Sequence, residues 1–258
     1  MRMPSRAAAA ALALLLPVPA ALAADRCVLS GHDLWPPFSH ATPDGGISGA
    51  SVEIVRRAME EAGLEVDAVY GGPWKRVLAG LEAGGVDAVA AVFSNPERAA
   101  RYRLSVPYHT LDIVAFVPAG SPFSFRTWEE LRGRTAIIAA GSSYGAAWDG
   151  FARDNLQVIT APSATEVVRM LLGGRGDFAV GPREPGLLAA REAGLDGRLR
   201  ALDPPLLSLP IHAALNREGA CGQAADRVDD ALTRLRASGE VARIVARHMA
   251  AEAMLPKP

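Results

Sequence analysis

Residues 81–98 read LEAGGVDAVAAVFSNPER, and this stretch decides the fold of the chain. Gly84 and Gly85 predict the end of a helix, because glycine readily adopts the backbone conformation that follows a helix. The six apolar residues directly after Asp87 are bounded by turn residues, which is typical of a strand buried on both faces of a parallel sheet. Arg98 ends a predicted polar loop after this strand, and open α/β sheets bind ligands beyond the carboxyl ends of their strands. We therefore predict that Arg98 binds a carboxylate through two parallel hydrogen bonds.

The same pattern occurs a second time in residues 171–182, which read LLGGRGDFAVGP. Gly174 takes the place of Gly84, Asp177 takes the place of Asp87, and apolar residues follow each aspartate. A helix-like segment precedes each copy. The repeat predicts two similar α/β lobes rather than one large sheet.

Residues 1–24 have the pattern of a secretory signal. Arg2 and Arg6 give a basic start, residues 7–18 are apolar apart from one proline, and residues 21–23 fit the small-x-small cleavage rule. The apolar run is too short to span a bilayer. We expect cleavage of this segment and a soluble, exported protein.

Composition limits the partners that the mature protein could have. Removal of the predicted signal takes away two arginines and no acid, so the formal net charge changes from −1 to −3. The chain contains no basic block, so we do not expect a nucleic acid partner. The histidines form no H-E-x-x-H and the cysteines no C-x-x-C, so neither a metal nor another cofactor is expected.

The chain has two cysteines, Cys27 and Cys221. Two cysteines in an exported protein usually pair, and this pairing would bring the two ends of the mature chain together. The alternative is that both are unpaired, buried thiols. We predict the disulfide.

A second candidate anion site lies in residues 141–145, GSSYG, which follow a predicted strand and precede a predicted helix. The hydroxyls of Ser142 and Ser143 and the free N–H groups at the start of a helix can bind an anion.

Six motifs in order along the chain resemble the periplasmic solute-binding proteins of amino-acid-type ABC transporters, the family 3 group with the type II periplasmic-binding fold. No motif is specific alone, but their order and spacing cover nearly the whole mature chain. They are WPPF at 35–38, PWKR at 73–76 followed by LEAGGVDAV, SNPER followed by LSVPY, GSSYG, GGRGDFAV at 173–180, and LRASGEVARIVARHM at 235–249.

This resemblance implies an α/β fold of two lobes, each with a mostly parallel sheet flanked by helices, joined by a two-strand hinge. We expect lobe 1 to comprise residues 25–117 plus 211–258 and lobe 2 to comprise residues 118–210. The implied function is capture of a small carboxylated solute, a polar amino acid or related organic acid, in the cleft between the lobes. The implied partner is the membrane permease of an ABC transporter, and the protein is expected to be a monomer without enzymatic activity.

The resemblance also implies roles for single residues. Arg98 looks like the carboxylate-binding arginine of the family, Ser94 like the polar residue that assists it, and Trp35 like the aromatic residue that covers the ligand. Ser142 and Ser143 resemble the lobe-2 groups that complete the carboxylate site, and Tyr144 of the same turn is included in the predicted site.

The chain departs from the family at Pro182. Amino-acid binders commonly carry an acid near this position for the ammonium group of the ligand, whereas this chain has Pro182, Arg183 and Glu184. One interpretation is that Glu184 substitutes for that acid, and another is that the ligand has no α-amino group. Arg183 would give a second cation beside Arg98, an arrangement that suits a dicarboxylate.

Two enzymes are the alternatives to a binding protein. A periplasmic cyclohexadienyl or arogenate dehydratase would use the same fold, with Glu184 as general acid and Arg98 on the substrate carboxylate. A serine hydrolase would use Ser143, because GSSYG fits the G-x-S-x-G nucleophile motif. Its remaining candidates are the acids Asp177 and Asp203 and the bases His212 and His248.

Overall fold

A computed structural model describes residues 25–32 and 34–254 of the chain. The predicted signal segment, residues 1–24, lies outside the described residues. Within the described ranges, no helix has both the length and the apolar character needed to cross a membrane.

Thirteen strands occur in the described part of the chain. They are β1 (Arg26–Ser30), β2 (Leu34–Trp35), β3 (Ser39–Ala41), β4 (Ile47–Ser48), β5 (Glu65–Ala68), β6 (Ala88–Phe93), β7 (Arg103–Leu104), β8 (His109–Pro118), β9 (Thr135–Ala139), β10 (Gln157–Ala161), β11 (Phe178–Pro182), β12 (Leu199–Ala201) and β13 (Leu207–Leu215).

Nine α-helices accompany these strands in the same described residues, together with a 3₁₀ turn at Trp128–Leu131. They are α1 (Ala50–Glu61), α2 (Trp74–Ala83), α3 (Pro96–Arg101), α4 (Ala146–Asn155), α5 (Ala164–Leu172), α6 (Arg183–Glu192), α7 (Ala220–Gln223), α8 (Ala225–Ala237) and α9 (Glu240–Met254).

The main sheet has the strand order β10-β9-β11-β8-β13-β6-β1-β5. On the lobe-1 side, β1 pairs in parallel with β5 and β6. On the lobe-2 side, β9 pairs in parallel with β10 and β11. The long strands β8 and β13 run antiparallel to each other between these groups. The structure is therefore an α/β fold of two mostly parallel strand groups joined by two crossing strands.

The prediction of two separate sheets was wrong in one respect. Strand β8 also pairs with β11 of one strand group, and β13 with β6 of the other, so the described strands form one ten-stranded sheet. Eight of its strands follow the order given above, while β12 pairs with β8 and β7 pairs with β13. Crossing strands that lie side by side satisfy each other's backbone groups, which would otherwise be buried without partners. The residue boundaries of the two lobes stay a prediction.

Helix α1 shows how sequence spacing produces the packing of lobe 1. Its apolar residues recur at helical spacing, and Val52, Ile54, Val55 and Met59 are at most 3% exposed. Burial of each such side chain contributes about 1.5–3 kcal/mol relative to exposure. Helix α8 contributes a similar apolar face, and the two helices pack against one another beside the lobe-1 strands.

The aspartates of the two repeated stretches make equivalent hydrogen bonds. Asp87 accepts from the N–H of Val28 at 2.8 Å, and Asp177 accepts from the N–H of Thr135 at 2.7 Å. In each copy the aspartate thereby ties its own strand to the first strand of the same group. The internal repeat seen in the sequence is thus a repeat of contacts as well.

The predicted disulfide between Cys27 and Cys221 is confirmed. It joins β1 to α7 across a sequence separation of 194 residues, with the two Cα atoms 6.0 Å apart. Both cysteines are fully buried. The bond fixes strand β1 to the segment that leads into the last helices.

Two elements differ from the sequence expectation. Arg98, expected in a loop, lies in helix α3, which starts at Pro96 because Asn95 caps it by accepting the N–H of Arg98 at 2.7 Å. Helix α6 was not expected, because Pro185 and Gly186 weaken its helical pattern. Both lie in the first turn, where proline is tolerated since the first N–H groups have no partner inside the helix.

Candidate functional site

A cavity of about 120 Å³ lies where the two lobes face each other. Residues after β1, β6 and β9, and at the end of β11, line it. This agrees with the rule that ligands of open α/β sheets bind beyond the carboxyl ends of the strands. The cavity brings together Trp35, Arg98, Ser142, Ser143 and Tyr144 of the predicted site.

Arg98 is 7% exposed and bridges the two lobes. One terminal nitrogen of its guanidinium donates to the carbonyl of Phe93 at 2.9 Å, and the other donates to the carbonyl of Gly141 at 3.1 Å. The guanidinium also lies over the ring of Trp74, 5.9 Å from the ring centre. Burial lowers the pKa of Arg98 from its ordinary value. A guanidinium nevertheless keeps its charge in proteins, so the cavity holds a fixed cation.

Three aromatic rings form a stacked wall beside Arg98. The ring of His32 lies 3.7 Å from that of Trp74 and 4.9 Å from that of Trp35, measured between ring centres. Burial and the positive charge of Arg98 lower the pKa of His32 to about 3. His32 is therefore neutral at neutral pH and adds no second cation.

The sequence patterns did not predict His32 and Trp74 as site residues. His32 stands three residues before Trp35 in the HDLWPPF stretch, and Trp74 begins helix α2. The sequence shows the aromatic residues of both segments but not that their rings stack. Their mutual stacking depends on contacts between segments about 40 residues apart in the chain, which local sequence patterns do not encode.

Ser143 is held in place by partners from both lobes. Its hydroxyl accepts from the side-chain amide of Asn95 at 2.8 Å and donates to the carboxylate of Asp149. Asp149 also accepts the N–H of Tyr144 at 2.9 Å. Asp149 thus orders the serine turn from within helix α4, and the Asn95 contact joins this turn to lobe 1.

Tyr144 is 5% exposed, and its hydroxyl donates to the carbonyl of Val180 at 3.1 Å. Burial raises the pKa of Tyr144 to about 12, so the phenol stays protonated at neutral pH. The side chain of Tyr144 therefore fixes the serine turn against strand β11.

The serine hydrolase alternative lacks support, because the described candidate acids and bases are bonded to groups other than Ser143. His212 is hydrogen-bonded to the carbonyl of Ser105, and His248 to the carboxylate of Glu53. The acid beside Ser143 is Asp149, while Asp177 binds the N–H of Thr135 and Asp203 pairs with Arg183.

Backbone geometry leads to the same conclusion. A nucleophile elbow holds its serine in a strained turn. In residues 25–32 and 34–254, positive φ angles occur at glycines alone, so Ser143 does not have that strained conformation.

Three predicted site residues do not line the cavity. Ser94 is exposed directly after β6. Arg183 is engaged in an ion pair with Asp203 at 2.6 Å, and Glu184 is half-buried in the first turn of α6. The ligand contacts proposed for these three residues stay predictions without support from the cavity geometry.

The described residues that line the cavity include one charged side chain, Arg98, and no carboxylate. The remaining polar side-chain groups are hydroxyls, the indole N–H groups of the lining tryptophans and the neutral ring of His32. Much of the opposite wall is apolar and comes from the core of lobe 2, including Phe116, Val167 and Val168. The arrangement suits an anion with an apolar body, bound at its charged end by Arg98.

Comparison with curated proteins finds partial matches. The chain is 29% identical over 124 residues to the L-cystine-binding protein TcyJ of Escherichia coli K12, a match that covers 48% of this chain and 45% of TcyJ. It is 25% identical over 150 residues to a cyclohexadienyl dehydratase of Pseudomonas aeruginosa, covering 56% of this chain and 54% of the enzyme. The chain spans about half the length of these curated relatives.

Comparison with solved structures supports the fold. An amino acid ABC transporter substrate-binding protein from Streptococcus pneumoniae, AbpA bound to L-arginine, superposes with a TM-score of 0.72 at 19% identity. This alignment covers 88% of the present chain and 96% of AbpA. The family model for bacterial extracellular solute-binding proteins, family 3, matches residues 28–251. The fold expected from the sequence is therefore confirmed, and the chain belongs to the family 3 bacterial extracellular solute-binding proteins.

Proposed function

We propose that the protein captures a small carboxylated solute, an amino acid or related organic acid, in the cleft between its lobes. The observation that carries this proposal is Arg98, a buried cation that lines the cavity and contacts both lobes. A guanidinium has five N–H groups, so those not bonded to Phe93 and Gly141 can donate to both oxygens of a carboxylate.

The contacts across the cleft support a closing movement of the lobes. Arg98 and Asn95 of lobe 1 reach Gly141 and Ser143 of lobe 2. These bonds join side chains to a single turn, so a hinge movement of β8 and β13 could form or break them together. A carboxylate at Arg98 would strengthen the closed state because it would add charge-assisted bonds at that junction.

Delivery of the solute to the permease of an ABC transporter is the proposed biological role. It rests on membership of the family and on the transporter-associated structure to which this chain is similar. The predicted signal at residues 1–24 supports a location in the periplasm. We further propose that the protein acts as a monomer.

Binding without chemistry is the function that the cavity supports best. The dehydratase alternative required Glu184 as general acid, and Glu184 does not line the cavity. The described lining residues contain no carboxylic acid. The pKa of His32 is about 3, so its ring is neutral near neutral pH and is not protonated to act as a general acid.

A thermal-shift screen against amino acids, dicarboxylates and small organic acids tests the proposal. A ligand present at about 100 times its dissociation constant stabilises the protein by about 2.7 kcal/mol. Arg98→Met should lose the shift, whereas Arg101→Met on the same helix should keep it, because Arg101 is exposed and paired with Glu82. Equal shifts in both variants would refute the carboxylate site.

The test for catalysis uses the same protein. Prephenate and arogenate are incubated with it, and the products are analysed by mass spectrometry. Recovery of both compounds unchanged is expected. Turnover of either one would establish the dehydratase function instead.

A further inference from the structure

The described residues that line the cavity carry charge of one sign. Among the described lining residues, Arg98 is the charged side chain, and its cation faces no lining carboxylate. Asp149, which attracts the Arg98 guanidinium electrostatically, already accepts hydrogen bonds from Ser143 and Tyr144 and lines a separate hollow. The N-terminus of α5, at Ser163 and Ala164, also lines the cavity, and its helix dipole favours negative charge.

The site where a carboxylate could balance a ligand ammonium is apolar instead. Pro182 ends strand β11 at the cavity wall, and Pro185 lies one helical turn further on. The adjacent Arg183 is held by Asp203 outside the cavity. An α-ammonium bound here would lie close to the Arg98 guanidinium, because it is attached one carbon from the carboxylate that Arg98 binds. Like charges at this distance repel, and a buried ammonium without a carboxylate partner is unfavourable.

An apolar chamber continues from the charged end into lobe 2. Phe116, Val167, Val168 and Leu199 line it, and all four belong to the core cluster of that lobe. The cavity volume of about 120 Å³ is comparable with the engineered apolar cavity of about 150 Å³ that binds benzene. This volume belongs to the whole cavity, the charged end included, so it fits a small ligand whose apolar body is no larger than one ring or a branched alkyl group.

We infer that the ligand is a carboxylate with an apolar body and without an α-ammonium group. This inference rests on the proposed function, since it names the class of solute bound at the same site. The carboxylate neutralises Arg98, and the apolar body occupies the chamber in lobe 2. A zwitterionic amino acid would leave the positive charge of the described lining residues uncompensated.

Matched pairs of ligands test the inference by calorimetric titration. The pairs are 3-phenylpropanoate with L-phenylalanine and 4-methylpentanoate with L-leucine, which differ by the α-ammonium alone. Propanoate serves as the acid without the apolar body. The acid of each pair should bind at least about tenfold more tightly than its amino acid, a ratio that corresponds to about 1.4 kcal/mol. Propanoate should bind more weakly than 3-phenylpropanoate.

A pair of variants reverses the preference by supplying the absent charge. Pro182→Asp places a carboxylate at the cavity wall, where aspartate is also a favourable cap for α6. It should shift the affinity ratio toward L-phenylalanine by about tenfold, because the ammonium gains a partner. Pro182→Asn has nearly the same shape without the charge and should leave the ratio unchanged.

A second pair of variants tests the chamber. Val168→Phe fills it and should weaken 3-phenylpropanoate binding while leaving propanoate binding unchanged. Val158→Phe makes the same substitution at a side chain that is 40% exposed in the same lobe and should bind both acids as the parent does.

The outcomes separate the inference from the function on which it rests. Tighter binding of the amino acids, lost in Arg98→Met and kept in Arg101→Met, would overturn the inference and leave the carboxylate-binding function intact. Preference for propanoate over 3-phenylpropanoate would overturn the apolar-body part. Failure of every carboxylate in these pairs and in the wider screen to bind would overturn both the inference and the proposed function.

Discussion

The two repeated stretches begin alike and end differently. Gly84 and Gly174 both have positive φ, at 74° and 70°, and an aspartate three residues later ties each following strand to its neighbour. After the strand, the lobe-1 copy has a capped helix that carries Arg98 into the cavity. In the lobe-2 copy, helix α6 follows the strand directly, with Pro182 as its N-cap. Its first residue, Arg183, pairs with Asp203 outside the cavity.

This difference teaches that a duplicated scaffold need not carry a duplicated site. The glycines adopt the turn conformation and the aspartates accept backbone N–H groups, so both copies require them. The residues after each strand are free of that requirement and give the lobes separate roles. Lobe 1 supplies the cation and the aromatic wall, and lobe 2 supplies the serine turn and the apolar chamber.

The largest expected effect comes from a comparison of Arg98 and Arg183. Arg98→Met should weaken ligand binding by about 2–5 kcal/mol, the range for loss of one partner of a buried charge pair. Arg183→Met should change it by less than about 1 kcal/mol, because Arg183 pairs with an exposed carboxylate. Calorimetric titration measures both. Arg98→Lys should recover binding in part, since an ammonium lacks the planar fork.

Arg98 also contributes to stability, since its substitution removes donors from the carbonyls of Phe93 and Gly141. We therefore expect Arg98→Ala to lower the stability of the fold, unlike substitution of an arginine in an exposed loop. The unfolding free energy of each variant must be measured before its affinity is interpreted. A larger loss of affinity in Arg183→Met than in Arg98→Met would show that the lobe-2 copy, and not the lobe-1 copy, holds the carboxylate site.

Removal of the disulfide should have the next largest effect. The Cys27→Ser, Cys221→Ser double variant should lose about 2–5 kcal/mol of stability, because a covalent bond between distant residues restricts the unfolded chain. Urea denaturation of the oxidised parent and the double variant measures this. A matched test is reduction of the parent, which should give the same loss. Unchanged stability in both tests would show that the bond does not stabilise lobe 1.

His32 should make stability depend on pH. Its pKa is about 3 in the folded protein and 6.5 in an ordinary environment, so the unfolded chain binds more protons between these values. Stability should therefore fall as the pH drops from 6.5 toward 3, by at most about 1.4 kcal/mol per pH unit. His32→Phe retains a stacking ring that does not titrate and should show a smaller slope. Equal slopes in denaturation series of the two proteins would contradict the prediction.

The two aspartates offer a direct test of the shared scaffold. Asp87→Ala should destabilise the protein by about 1–3 kcal/mol, the range for a donor left unsatisfied, because the partly buried N–H of Val28 loses its acceptor. Asp177→Ala should have a smaller effect, since Asp177 is exposed and water can replace it. Thermal denaturation of the two variants measures the difference. A larger loss of stability in Asp177→Ala would contradict the prediction, because the exposed hydrogen bond would then contribute more to stability than the partly buried one.

Ser143→Ala should give the smallest change. It removes one neutral hydroxyl that bridges Asn95 and Asp149, so the expected loss of ligand affinity is about 0.5–1.5 kcal/mol. Ser94→Ala is the control, because Ser94 is exposed and does not line the cavity. If Ser143→Ala abolished binding while Arg98→Met did not, lobe 2 rather than lobe 1 would hold the carboxylate.

Local patterns predicted most of the elements. The strand at Ala88–Phe93 was predicted with the bounds that the structure shows, because apolar residues between turn residues define a buried strand. Helix α6 was missed because Pro185 and Gly186 interrupt the pattern that normally indicates a helix. The capped start of α3 at Asn95 was present in the sequence as Asn-Pro, a known helix-start signal, but was interpreted as a loop.

The sequence by itself determined the two α/β units, the glycine and aspartate positions that shape them, and the choice of Arg98 as the candidate cation. These features depend on neighbours within a few residues, which a sequence displays directly. The tertiary structure decided which candidates meet. It buried Arg98 against Gly141, engaged Arg183 with Asp203, and stacked His32 between Trp35 and Trp74. Such contacts join segments far apart in the chain, so their formation depends on how the lobes pack rather than on any local pattern.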